Sequence, residues 1–161
     1  MGDLLTRATI WLSLAGYAIS FCLQVRRVAP KFALVAWSFG AVAFLTHTLF
    51  AFHFFYNWSH TIALAETARQ TKDLTGFDSG SGLYLNYAFG LVWLVDAAWW
   101  LSAGDKYDRR PRSMVLGLHS FFWFMIVNGA IVFGSGPVQI YGTGLVLVMM
   151  VAVFRRRRPL N

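Results

Sequence analysis

Apolar residues fall into five long runs: Thr9–Gln24, Phe32–Phe55, Leu83–Ala103, Met114–Gly134 and Val138–Phe154. Each is close to the ~20 residues a helix needs to cross the hydrocarbon core of a bilayer. The pattern predicts an all-α, polytopic membrane protein: a five-transmembrane-helix bundle forming one integral membrane domain over 1–161. The second run does not stop cleanly. The aromatic segment Phe52-His53-Phe54-Phe55-Tyr56-Asn57-Trp58 passes into Ser59–Thr75, which is polar and free of Gly and Pro. One long helix is therefore expected from Phe32 to Asp73, its lower half in lipid and its upper half projecting on the outer side. Gly76 to Gly82 then reads as a turn that leads back to the membrane. Pro30 suits the first turn of the second span, and Ser135-Gly136-Pro137 reads as the hairpin between the last two. Gly16, Ala18 and Ser20 in the first span are small enough to let a neighbouring helix approach closely.

Composition strengthens this picture. The chain is 57% hydrophobic and 13% charged, against roughly a quarter charged in soluble domains. Five spans leave almost no length for a soluble domain. The net charge of +7 would suit a nucleic-acid binder if the basic residues clustered on one soluble face. They sit instead just outside alternate apolar runs: Arg26, Arg27 and Lys31; Lys106, Arg109, Arg110 and Arg112; Arg155 to Arg158. That is the positive-inside pattern, and it argues against nucleic acid as a partner. It predicts the N-terminus outside and the C-terminus cytoplasmic in a bacterial plasma (inner) membrane, with eleven of the fourteen Lys and Arg residues inside. The expected partners are the lipid bilayer and other membrane subunits or a second copy of the chain. The single cysteine, Cys22, rules out an intramolecular disulfide and reads as a packing residue. No cleaved signal peptide is expected, because the first strong basic cluster follows the first run rather than preceding it.

Polar groups inside the spans carry the candidate chemistry, since an ionisable side chain in hydrocarbon costs roughly 2.5–3.5 kcal/mol on insertion scales. Asp96 and His119 lie at matching depths in the third and fourth spans, about 10 and 8 Å from the inner ends. They are expected to pair, as a structural clasp or a proton-handling site. A second group lies towards the outer side: His47, His53, Asn57, His60, Asn86 and Asn128. Thr46, Phe50, His53, Asn57, His60, Leu64, Thr67 and Thr71 recur every three or four residues, so on one continuous helix they would form a stripe. That stripe is expected to be buried against protein or ligand. His53 and His60 are about 10 Å apart along such a helix and cannot share one ion. A metal held by His47, His53 or His60 would need a ligand from another segment. Asn57-Trp58-Ser59 also matches a short glycosylation acceptor.

No complete catalytic constellation is present, and no cofactor is singled out. The residues read first as a non-enzymatic subunit or accessory factor of a membrane assembly. The alternative is a metal-, haem- or quinone-linked redox protein using the outer histidines. A second alternative is a proton-coupled transporter using Asp96 and His119. The absence of an internal repeat and of a pair of Gly/Pro-broken spans weighs against transport.

Overall fold

The computed structural model describes residues 1–134 and 136–156. The first residue of the expected last hairpin, Ser135, and the tail from Arg157 lie outside the described residues. The elements are α1 (Gly2–Arg26), α2 (Pro30–Phe54), α3 (His60–Thr75), α4 (Gly82–Ala103), a 3₁₀ segment (Gly104–Arg109), α5 (Arg112–Ile126) running into a π-helical segment (Val127–Val132), and α6 (Pro137–Arg156). No strand occurs among the described residues.

Four helices are long and apolar enough to cross a membrane: α1, α2, α5 with its π-helical continuation, and α6. At 22 residues α4 is long enough, but Tyr84, Asn86, Tyr87, Asp96 and its three tryptophans hold its mean hydropathy below that of these four. The surface is that of a protein in lipid. Phe32, Val35, Phe39, Val42, Leu45 and Leu49 form an exposed stripe along α2, at the three-four spacing of one helix face. Large aliphatic side chains also lie exposed on α4 and α6, among them Leu91, Val95, Ile140, Leu147 and Val151. So much continuous apolar surface is stable only out of water.

The interior is aromatic. Tyr17, Trp37, Trp93 and Phe122 are almost fully buried, with Phe122 stacked on Trp37 at 5.1 Å between centroids and on Tyr17 at 5.3 Å. Contacts between helices fix alternating directions. Phe44 meets Phe89, and Trp37 meets Trp100, so α2 and α4 run antiparallel. Tyr141, near the start of α6, donates to the Trp11 carbonyl in the first half of α1 at 3.1 Å. The basic residues after α1, after α4 and at the end of α6 therefore share one end of the bundle, and α3 lies at the other.

Small residues set the α1–α2 contact. A Cβ on Gly16 would lie 2.8 Å from both the Ala36 carbonyl oxygen and the Gly40 Cα, so only glycine allows this approach. Ser13 donates to the Gly40 carbonyl at 3.0 Å and Ser20 to the Ala33 carbonyl at 2.8 Å. These bonds tie the two helices together where no water is available to compete.

The long helix expected from Phe32 to Asp73 is not formed. Residues Phe55–Ser59 break it into α2 and α3. Asn57 and Trp58 both take left-handed backbone conformations, with φ of 47° and 58°. Asn reaches this region more readily than most residues. Ser59 then caps α3, its hydroxyl accepting from the Ile62 amide at 3.3 Å. Local capping outweighs the helix propensity of the flanking segments. The break also interrupts the predicted stripe: His53, Asn57 and His60 at its centre are exposed, while Thr46 and Phe50 on α2 and Leu64, Thr67 and Thr71 on α3 are half-buried.

Candidate functional site

Between the N-terminal half of α1, the C-terminal half of α2, α3, the start of α4 and the π-helical segment lies a cavity of about 690 Å³. Its position follows from the fold. The break after α2 lets α3 return over the bundle, where Leu64 packs on Gly80 and Thr67 approaches Gly82. The π-helical turn bonds Phe133 N–H to the Asn128 carbonyl at 2.8 Å, five residues back. Such segments are wider than an α-helix and recur at functional sites. Asn128, Gly129 and Ala130 on this turn face the cavity.

Three of the six outer-side candidates meet there: His47, Asn86 and Asn128. His47 is fixed by its Nδ1, which lies 2.8 Å from the Thr6 carbonyl. A carbonyl can only accept, so Nδ1 carries the proton. In neutral imidazole Nε2 is then a bare acceptor, and it has no partner among the described residues. Asn128 donates its Nδ2 to the Phe124 carbonyl at 2.8 Å, which leaves Oδ1 free. The apolar wall is Phe44, Phe89 and Trp93, with Leu14 and Ile126.

The other three candidates lie apart from it. The His53 ring sits against Phe54 and Trp58. Asn57 belongs to the exposed turn. His60 Nδ1 lies 3.1 Å from the Tyr87 hydroxyl, and its Nε2 lies 3.5 Å from that of Tyr84. Among the described residues no three His, Cys, Asp or Glu side chains come close enough to hold a metal ion.

Asp96 and His119 do not pair. Asp96 Oδ1 accepts from Arg110 Nη1 at 2.6 Å, and Oδ2 from the Tyr107 hydroxyl at 2.5 Å. The Arg110 guanidinium lies 3.3 Å from the Tyr107 ring centroid, and Tyr107 stacks on Trp100 at 4.4 Å. Burial and then the Asp96 carboxylate push the Tyr107 phenol well above its ordinary range, so it stays a donor. The Trp37 indole lies beside this carboxylate, but its N–H is outside hydrogen-bond geometry. His119 instead has its Nδ1 at 3.2 Å from the Tyr17 hydroxyl, with its ring edge-on to Phe21 and Trp37. The arginine in the α4–α5 loop reaches back and takes the carboxylate. An Arg–carboxylate pair is the stronger one.

Sequence reasoning had counted Arg110 only as a topology residue and had not considered Tyr107, Thr48, Ser13 or Tyr56. The signal for Arg110 was the nearness of a lone intraspan acid to a loop with four cations. At the α3 end, Arg69 bonds Glu66 at 2.6 Å and Asp73 at 2.8 Å, and Arg69, then Gln70, hold the Glu66 carboxyl below its usual range. Burial, aided by Glu66, raises the phenol of Tyr56 on the cavity wall.

No protein-family model, curated protein or solved structure matches this chain.

Proposed function

We propose that this chain is a small five-span membrane protein whose α3-end cavity binds a small molecule, and that it serves as a non-enzymatic subunit or accessory factor of a membrane assembly. The cavity carries the reading. Its volume falls within the roughly 300–1,000 Å³ of small-molecule sites, and its wall combines aromatic rings with His47, Asn86 and Asn128. In this reading α4 is the fifth span. Its intraspan acid is neutralised by Arg110 within the protein, which removes the main obstacle to its lying in lipid. The alternating helix directions and the basic residues gathered at one end support an N-outside, C-inside orientation in a bacterial plasma membrane.

The engagement of Asp96 by Arg110 and Tyr107 leaves no free carboxylate for the transporter reading. The quinone form of the redox reading keeps His47 as a contact for the reduced, hydroxyl-bearing ring, whereas its metal form lacks a gathered ligand set among the described residues.

The test is impermeant thiol labelling of Asn86→Cys and Asn128→Cys in intact cells, in a Cys22→Ala background. Both should react from outside, and bulky adducts should block each other. Labelling only from the cytoplasm, or no reaction at either position, would remove the outward cavity. A reporter at Ser79 should be outside, and reporters at Arg109 and Asn161 inside.

A further inference from the structure

The hydrogen-bond arithmetic of the cavity says more than its size. Three hydroxyls of the wall have spent their donors on backbone carbonyls. Thr6 donates to Gly2 at 2.9 Å, Ser13 to Gly40 at 3.0 Å, and Thr48 to Phe44 at 3.1 Å. Asn128 Nδ2 has given one of its two N–H groups and His47 Nδ1 its single one, at 2.8 Å each. The Trp93 ring lines the space, but its N–H is buried in the core away from it. His47 therefore offers the cavity only an acceptor, Nε2, while Asn128 offers Oδ1 and one N–H. The acid on the described wall is Asp3, and Arg7 holds it at 2.9 Å. No free anion therefore faces His47 to keep a second proton on its ring. An imidazole acceptor beside a floor of Phe44, Phe89 and Trp93 is complementary to a donor on an aromatic body.

We infer that the cavity binds a small amphipathic molecule of the phenol or hydroquinone class, its hydroxyl donating to His47 Nε2 and its ring lying among Phe44, Phe89 and Trp93. This rests on the cavity being a ligand site and names the chemistry it selects. The Phe44 and His47 ring centroids are 6.2 Å apart, and those of Phe44 and Phe89 are 4.8 Å apart. The acceptor thus sits at the edge of the aromatic floor. A quinone or an ether of the same shape brings only acceptors, and would leave His47 Nε2 facing another lone pair.

The experiment uses the full chain in phosphatidylcholine nanodiscs, with empty nanodiscs as the partition control. The probes are para-hexylphenol and para-hexylanisole, which differ by replacement of O–H with O–CH₃. The phenol should bind saturably and about tenfold more tightly than the ether, the ratio that one net hydrogen bond of ~1.4 kcal/mol gives. His47→Leu should reduce that preference to less than about threefold, with ring affinity largely kept. Because His47 also ties α2 to α1, nitrogen NMR of the wild-type histidine rings gives a second readout. The phenol should shift the unprotonated Nε2 resonance of His47, and the ether should leave it in place. Equal affinity for the two probes, a preference kept in His47→Leu, or an unmoved Nε2 resonance would overturn the inference while leaving the cavity a ligand site. Saturable binding of neither probe would overturn the inference. Labelling at Asn86 and Asn128 would then decide separately whether the cavity itself stands.

Discussion

The pair of Asp96 and Arg110 makes the sharpest quantitative claim about this fold. The two side chains are 8% and 4% exposed and lie 2.6 Å apart. Removing one partner of a buried ion pair typically costs about 3–5 kcal/mol, because the survivor is left charged and desolvated. Replacing both with apolar residues of similar volume is often neutral. Arg110→Met and Asp96→Leu should therefore each destabilise the protein by about 3 kcal/mol. The double variant should lose no more than about 1 kcal/mol, a coupling well above the ~0.5 kcal/mol scatter of independent sites. Asp96→Asn should also be harmful: it keeps hydrogen-bonding capacity but not the charge that Arg110 needs. The assay is reversible unfolding in mixed micelles by SDS titration, followed by tryptophan fluorescence. A parallel cycle between Asp96→Leu and His119→Phe should be additive within about 0.5 kcal/mol, since no hydrogen bond joins those residues. If Arg110→Met costs less than about 0.5 kcal/mol, or if the Asp96–His119 cycle shows the larger coupling, the assignment is wrong.

Other expectations follow from single contacts. Gly16→Ala places a methyl against the backbone of α2 and should cost about 1–3 kcal/mol in the same titration, whereas Gly117→Ala, with open space around it, should stabilise α5 by up to about 1 kcal/mol. Ser59→Ala removes the cap of α3 and should cost about 1 kcal/mol there, read as faster amide exchange at Thr61–Ala63 with the span helices unaffected. The Glu66 carboxyl has a folded-state value below its unfolded one. Its contribution to α3 is thus present at neutral pH and lost as pH falls through the folded value. Exchange at α3 should accelerate on acidification, and Glu66→Gln should remove that pH dependence.

Apolar run length and the placement of basic residues were enough to determine the helical membrane class, the positions of the long helices to within a few residues at most ends, and the small-residue approach of α1. The reason is that the bilayer imposes a local requirement, a minimum length of apolar helix, that each segment meets or fails by itself. The break between α2 and α3 was also written locally, in Asn57 and Ser59, but good helix formers on both sides hid it. What only the tertiary structure decided was partner choice. Depth along a helix leaves rotation about its axis open, so His47, Asn86 and Asn128 share a cavity while His53, Asn57 and His60 do not. The same freedom let Arg110 rather than His119 take Asp96. Which donors are spent inside the cavity, and hence which ligand chemistry it favours, depends on carbonyls up to 41 residues away in the chain. Such distant contacts leave no period or spacing to read.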